Sequence, residues 1–219
     1  MSRLTLPHRA VRSAACAAIA LALTGLSTLA HADASAQKRA AAQALFDEAR
    51  RLVGQGRHAE ACPKFRESQS LDPGIGTLYN LGECLERTGR TASAWAAFHE
   101  AADMARLAGQ PKREQAARAR ADALEPRLAR LQVELPPETV VSGIQVLRDG
   151  IPVGQGQWGV AVPVDPGPHT VVVSAPGKVR RELRVERIGE GMTRTVHVAP
   201  LEDEPAPVAP LPASPSAPA

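Results

Sequence analysis

Residues 154–159, Gly-Gln-Gly-Gln-Trp-Gly, have the glycine spacing of a dinucleotide-binding loop. That chemistry needs a helix N-terminus directly after the third glycine, where free backbone N–H groups hold a pyrophosphate. Val160-Ala161-Val162-Pro163 follows instead and reads as a strand. The stretch is therefore expected to be a turn with Trp158 partly buried, and no cofactor is expected. The histidines carry as little: His58 and His99 fall on separate helical segments, His169 and His197 on strands, with no metal-ligand spacing among them. His169, next to Pro168, is expected to steady a turn. No serine sits in a nucleophile elbow, and acidic runs such as Asp47-Glu48 and Glu202 to Glu204 read as solvated. No catalytic, metal-binding or cofactor-binding residue emerges, and an enzyme is not expected.

The cysteines leave one covalent possibility. Cys16 lies in a leader-like segment, so Cys62 and Cys84 remain as a candidate disulfide of an exported chain. The alternative is two buried thiols acting as small core residues.

The elements that must position these residues begin with a repeat. Leu45, Ala49, Leu52, Gly56, Ala61, Phe65 and Ser68 are each followed 33 residues later by Leu78, Gly82, Leu85, Gly89, Ala94, Phe98 and Ala101. A period of this size marks stacked supersecondary units that cannot bury their apolar face alone. Within each copy the spacing i, i+4, i+7 is helical on both sides of the glycine. Each copy thus reads as helix, tight turn, helix, with Ala49 or Gly82 permitting close approach and Phe65 or Phe98 filling the space between. Helices are expected from Ala34 to about Gly54, His58 to Leu71 (through Pro63), Thr77 to Arg87, and Ala92 to Leu107. A fifth, opened by Pro111 and running to Leu128 with a kink at Pro126, is expected to cap the array. Cys62 and Cys84 fall on helices that neighbour each other in such a stack, next to the small residues Ala61 and Gly82.

This pattern resembles the tetratricopeptide repeat: large, small, large, glycine turn, alanine, aromatic, alanine, then a closing proline at Pro73 in the first copy, with Arg106 there in the second. The resemblance implies a groove lined by the first helix of each repeat. The matching positions are Gln43, Phe46, Arg50 and Val53, then Tyr79, Asn80, Glu83, Glu86 and Arg87. Of the family's clamp for C-terminal carboxylates only Asn80 matches, since Phe46 and Arg50 stand where lysine and asparagine belong. Phe46 and Tyr79 have a competing role, packing against a neighbouring helix.

At Leu131 the period changes to alternation. Leu131, Val133 and Leu135, then Val141, Ile144 and Val146, alternate as in half-buried strands. Asp149-Gly150 is a hairpin signal, with Val153, Val160, Val162 and Val164 on the return. Asp165-Pro166-Gly167 and Ala175-Pro176-Gly177 bracket Thr170 to Val173, and strands follow through Leu183, Val185 and Ile188 and over Thr195 to Val198. Six or seven short strands over 131–200 argue a small antiparallel β-sandwich. Arg148-Asp149-Gly150, Val153-Gly154, Pro163-Val164, Asp165 to Val171 and Ala175-Pro176-Gly177 are similar to the PEGA-type β-domain of bacterial envelope proteins, although Val140-Val141-Ser142-Gly143 replaces the naming tetrapeptide.

The two ends complete the layout. Arg3, Arg9 and Arg12 precede an apolar run from Ala14 to Ala30, and Ala30-His31-Ala32 before Asp33 is an A-x-A cleavage site. Residues 1–32 are therefore expected to be a signal peptide cut between Ala32 and Asp33, leaving no membrane span and a periplasmic or secreted chain. Residues 201–219, acidic and then rich in Pro and Ala, are expected to be a disordered tail. The formal charge of +3 rests on the leader: without its three arginines, 23 of the 26 basic residues face 23 acidic ones. No basic patch interleaved with aromatics remains, so nucleic acid is not an expected partner.

The expected fold class is α + β in separate domains: a helical-hairpin repeat array over 33–130, then the β-sandwich over 131–200. The expected function is an exported, non-enzymatic binding or scaffold protein whose repeat groove takes a peptide or protein. The alternative is a structural envelope module whose β-domain contacts cell-wall glycan.

Overall fold

In the computed structural model the described residues are 35–205. The signal-like segment with Ala32 and Asp33, and the Pro/Ala-rich stretch beyond 205, lie outside them. Five helices come first: α1 over 35–54, α2 (His58–Leu71), α3 (Ile75–Arg87), α4 (Thr91–Leu107) and α5 (Pro111–Leu124). They form an antiparallel stacked array. Seven strands follow: β1 (Ala129–Glu134), β2 (Gln145–Arg148), β3 (Ile151–Pro152), β4 (Val162–Val164), β5 (Gly167–Ser174), β6 (Arg181–Ile188) and β7 (Thr193–His197). α and β thus occupy separate regions. The chain divides into two compact units: one runs to Thr88 and resumes over Ala96–Arg120, while the other holds Gly89–Trp95 and everything from Ala121 onward. The division falls ten residues before the expected boundary at 130/131.

In the first unit the 33-residue period is visible as geometry. Ala49, Leu52, Ala61, Phe65 and Ser68, and in the second copy Leu78, Gly82, Leu85, Phe98 and Ala101, are all buried. Gly56 and Gly89 take φ of 73° and 74°, the left-handed turn that ends the first helix of each copy. Phe46 meets Phe65 edge-on at 5.6 Å, and Tyr79, one period on, meets Phe98 the same way at 5.3 Å. Gly82 is required by the same packing, because a Cβ there would stand 2.7 Å from the Phe98 ring. Cys62 on α2 and Cys84 on α3 form a disulfide with Cα atoms 5.6 Å apart. Helix bounds differ most from expectation at two ends. α3 starts at Ile75, with Gly74 extended as its N-cap, and α5 stops at Leu124, where a 3₁₀ turn over Glu125–Arg127 with Pro126 inside it takes over.

The second unit packs two sheets around one apolar core. Their orders are β4-β1-β7 and β3-β2-β5-β6. The first sheet contributes Ala129, Leu131, Val133 and Val164, the second Val146, Val171, Val173, Val185 and Ile188. Four strand pairs are antiparallel, but β1 and β7 pair in parallel, Leu131 opposite Arg194. The sandwich is therefore not wholly antiparallel as expected, because the first and last strands meet side by side. Val160 is a second difference: it is half exposed, between a 3₁₀ turn over Gln155–Gln157 and β4. The expected tail boundary at 201 also shifts. Leu201 is buried in the core, and Val179 N–H donates to Glu202 O while Glu204 N–H donates to Gly177 O.

Polar side chains lock the turns of this unit. His169 is buried, with Nδ1 2.7 Å from Asp149 Oδ2 and Nε2 2.8 Å from the Asp165 carbonyl, so it ties two turns together. The Asp165 carboxylate accepts from Ser93 N–H, Ser93 Oγ and Arg90 Nε at 2.7–2.9 Å. Glu190 Oε1 accepts from Thr91 Oγ1 at 2.6 Å and from Arg127 Nη2 at 2.9 Å. The Arg127 hydrogen bond, then that of Thr91, holds the Glu190 carboxyl below the ordinary glutamate range.

Candidate functional site

The face of α3 that repeats at i, i+3, i+4 and i+7 carries Asn80, Glu83, Cys84 and Arg87. These four line a cavity of about 430 Å³ in the helical unit, together with Val53 from the end of α1, His58 from the start of α2 and Arg120 from α5. The glycine turn at Gly56 brings Val53 and His58 to the same rim. The disulfide makes Cys84 part of the wall and ties α3 to α2 at that point.

Arg120 completes the lining from α5. Its guanidinium donates to Glu83 Oε1 at 3.0 Å and Glu86 Oε2 at 2.6 Å, and it lies 5.1 Å over the Phe98 ring. Burial pulls its pKa down, but the Glu86 hydrogen bond and the charges of Glu86 and Glu83 outweigh that and raise it. Asn80 Nδ2 donates to Gly76 O, leaving its side-chain carbonyl oxygen without a protein donor among the described contacts. His58 Nδ1 is buried without a hydrogen-bond partner. Arg87 is exposed at the rim. The lining thus offers a cation, an amide and an imidazole nitrogen around a rigid wall, which suits hydrogen-bonded recognition of a polar ligand.

The expected groove residues separate into three groups. Asn80, Glu83 and Arg87 share this cavity. Gln43 and Phe46 line a smaller one of about 210 Å³, with Ser68, Asp72, Pro73, Gly74 and Thr77, where Gln43 Nε2 also donates to Asp47. Arg50 and Tyr79 line neither; Arg50 is exposed, and Tyr79 packs half-buried on Phe98. Arg120 was not legible as a site residue, because α5 lies outside the 33-residue period and only the stack brings it to α3. His58 carried no signal beyond its place after the glycine turn.

Elsewhere, no helix follows the glycines of 154–159, and Trp158 Nε1 donates back to Val153 O at 3.2 Å. Among the described residues no group of three or more His, Cys, Asp or Glu is arranged to hold a metal ion, and no helix is long and apolar enough to cross a membrane. No protein-family model and no curated protein matches this chain.

Proposed function

We propose that this is an exported, non-enzymatic binding or scaffold protein, a tetratricopeptide-type array with a PEGA-like β-domain, whose helical unit recognises a peptide or protein segment. The observation that carries the reading is the α3 face. Asn80, Glu83 and Arg87 line one cavity together with the disulfide's Cys84 and with Arg120. The disulfide is consistent with an oxidising compartment, which fits the leader-like start of the sequence and a periplasmic or secreted site of action.

Crosslinking of the whole chain in cell-envelope extract tests it, comparing the native protein with Arg87→Glu and Asn80→Ala. Arg87 is exposed and Asn80 half-buried outside the core, so the fold should persist by circular dichroism while the crosslinked partner disappears. A partner retained by both variants would remove the helical cavity from consideration. Retention of cell-wall glycan alone would favour the structural envelope module instead.

A further inference from the structure

The β unit carries a cleft of its own, at the seam where the two sheets are not joined. β6 is the edge strand of one sheet and β7 the edge strand of the other. A shallow cleft of about 470 Å³ runs there, lined by Arg184, Val185, Glu186 and Arg187 of β6 and by Arg194, Thr195 and Val196 of β7.

Two features of register bring charged side chains to this cleft. On β6, Val185 pairs with His169 and Ile188 with Gly167, so three steps on β6 face two on β5. This bulge leaves Glu186 and Arg187 both exposed between buried Val185 and Ile188. On β7, Arg194 stands opposite Leu131 in a parallel pair, and directly opposed side chains share a face of the sheet. Leu131 is fully buried in the core, so Arg194 occupies the core-facing side of its strand and is exposed only because β7 is at the edge. Arg184 donates to Glu182 on its own strand. Neither Arg187 nor Arg194 has a carboxylate partner among the described residues. With Arg184 paired to Glu182, two unpaired guanidinium groups, Arg187 and Arg194, stand with one carboxylate, Glu186, beside a strand edge that is unpaired among the described residues.

We propose that this seam binds an acidic peptide segment in extended conformation, which adds as a strand to the free edge of β6 with its carboxylates on Arg187 and Arg194. A free edge supplies backbone hydrogen bonds and alternate side chains supply specificity in this mode. Guanidinium forks match carboxylates bidentately. Arginine and a bulge on an edge strand also serve to keep strands from pairing with other chains. Edge protection needs only charge of either sign, whereas binding needs the uncompensated cations grouped on one cleft, which is what the register produces.

The test is calorimetric titration of the whole chain with a blocked octapeptide alternating glutamate and threonine, as long as the eight residues of β6. Two control peptides accompany it: one with glutamine for glutamate, one N-methylated at alternate amides so that it keeps its charge but cannot extend a sheet. Binding is expected for the parent peptide, weakened about tenfold or more by either control, by the double variant Arg187→Gln with Arg194→Gln, and by raised salt. Arg106→Gln, on an exposed helical face, should leave it unchanged. The melting transition of each variant establishes that it is folded. No binding at millimolar peptide would assign the arginines to edge protection and overturn the proposal. Equal binding of the N-methylated peptide would overturn strand addition. Anionic phospholipid vesicles that bind with the same dependence on Arg187 and Arg194, while the peptide does not, would assign the seam to a membrane surface.

Discussion

The two units solve the same burial problem with different materials. The helical unit is built from alanine, glycine and two repeated aromatic pairs, Phe46–Phe65 and Tyr79–Phe98, and adds a disulfide. The β unit fills its core with valine, leucine and isoleucine, and its polar locks join residues far apart: Asp149 to His169 across 20 positions, Ser93 to Asp165 across 72, Thr91 to Glu190 across 99. Ion pairs within the first helices are local by contrast, Glu48 with Arg51 and Arg57 with Glu60 at i, i+3. A helix buries only a narrow stripe, so a short array depends on a few large rings and on cross-links. A sandwich closes on itself and depends on long-range pairing instead.

The sharpest way to break this comparison is to remove a ring. Phe98→Ala deletes a fully buried side chain that contacts Tyr79, stands over the bare Gly82 backbone and supports Arg120. It is expected to cost about 3–5 kcal/mol and to lower the melting temperature of the helical signal. Phe65→Ala, without a cation on its ring, should fall toward the lower end. An unchanged helical melt for both would mean that the rings are not the filler of the array.

The disulfide comes next. Its removal by Cys62→Ser with Cys84→Ser, or by reductant, frees a loop of 22 residues and is expected to cost the helical unit about 3 kcal/mol on the chain-entropy model. The β unit contains no cysteine, so its protection against hydrogen exchange should not change. Equal losses in both units would show that the comparison draws its line in the wrong place.

The smallest effect probes the β unit's long-range locks. Glu190 has a folded pKa below its unfolded value. Its contribution is therefore complete above the unfolded glutamate value and is lost as the pH falls through the folded one. With the side chain 39 % exposed, solvent screening holds this to about 1 kcal/mol or less. Glu190→Gln should lower stability slightly at neutral pH and flatten the decline on acidification. A variant with the native acid profile would separate Glu190 from that decline.

The helical half was legible because its information is local. A period of 33 residues, a glycine at each turn and an i, i+4, i+7 spacing fix helix, turn and buried face without reference to distant residues, and the bounds err by only a few positions. The errors came where a proline set the stop, at Pro126, or where backbone alone decided the start, at Gly74. The candidate site was legible in part. Asn80, Glu83 and Arg87 are positions that the resemblance to the tetratricopeptide repeat implies, while Arg120 is not, since the helix that carries it repeats nothing.

For the β half, alternation and turn residues determine that strands exist and roughly where they lie. They do not determine partners. That β7 runs parallel to β1, that Leu201 belongs to the core, and that Arg194 shares a face with Leu131 depend on pairing between segments some 60 residues apart, which no local pattern encodes. A side chain's direction in a strand follows from sequence parity, but whether that direction ends in the core, in water or in a cleft is decided only when the neighbouring strand arrives.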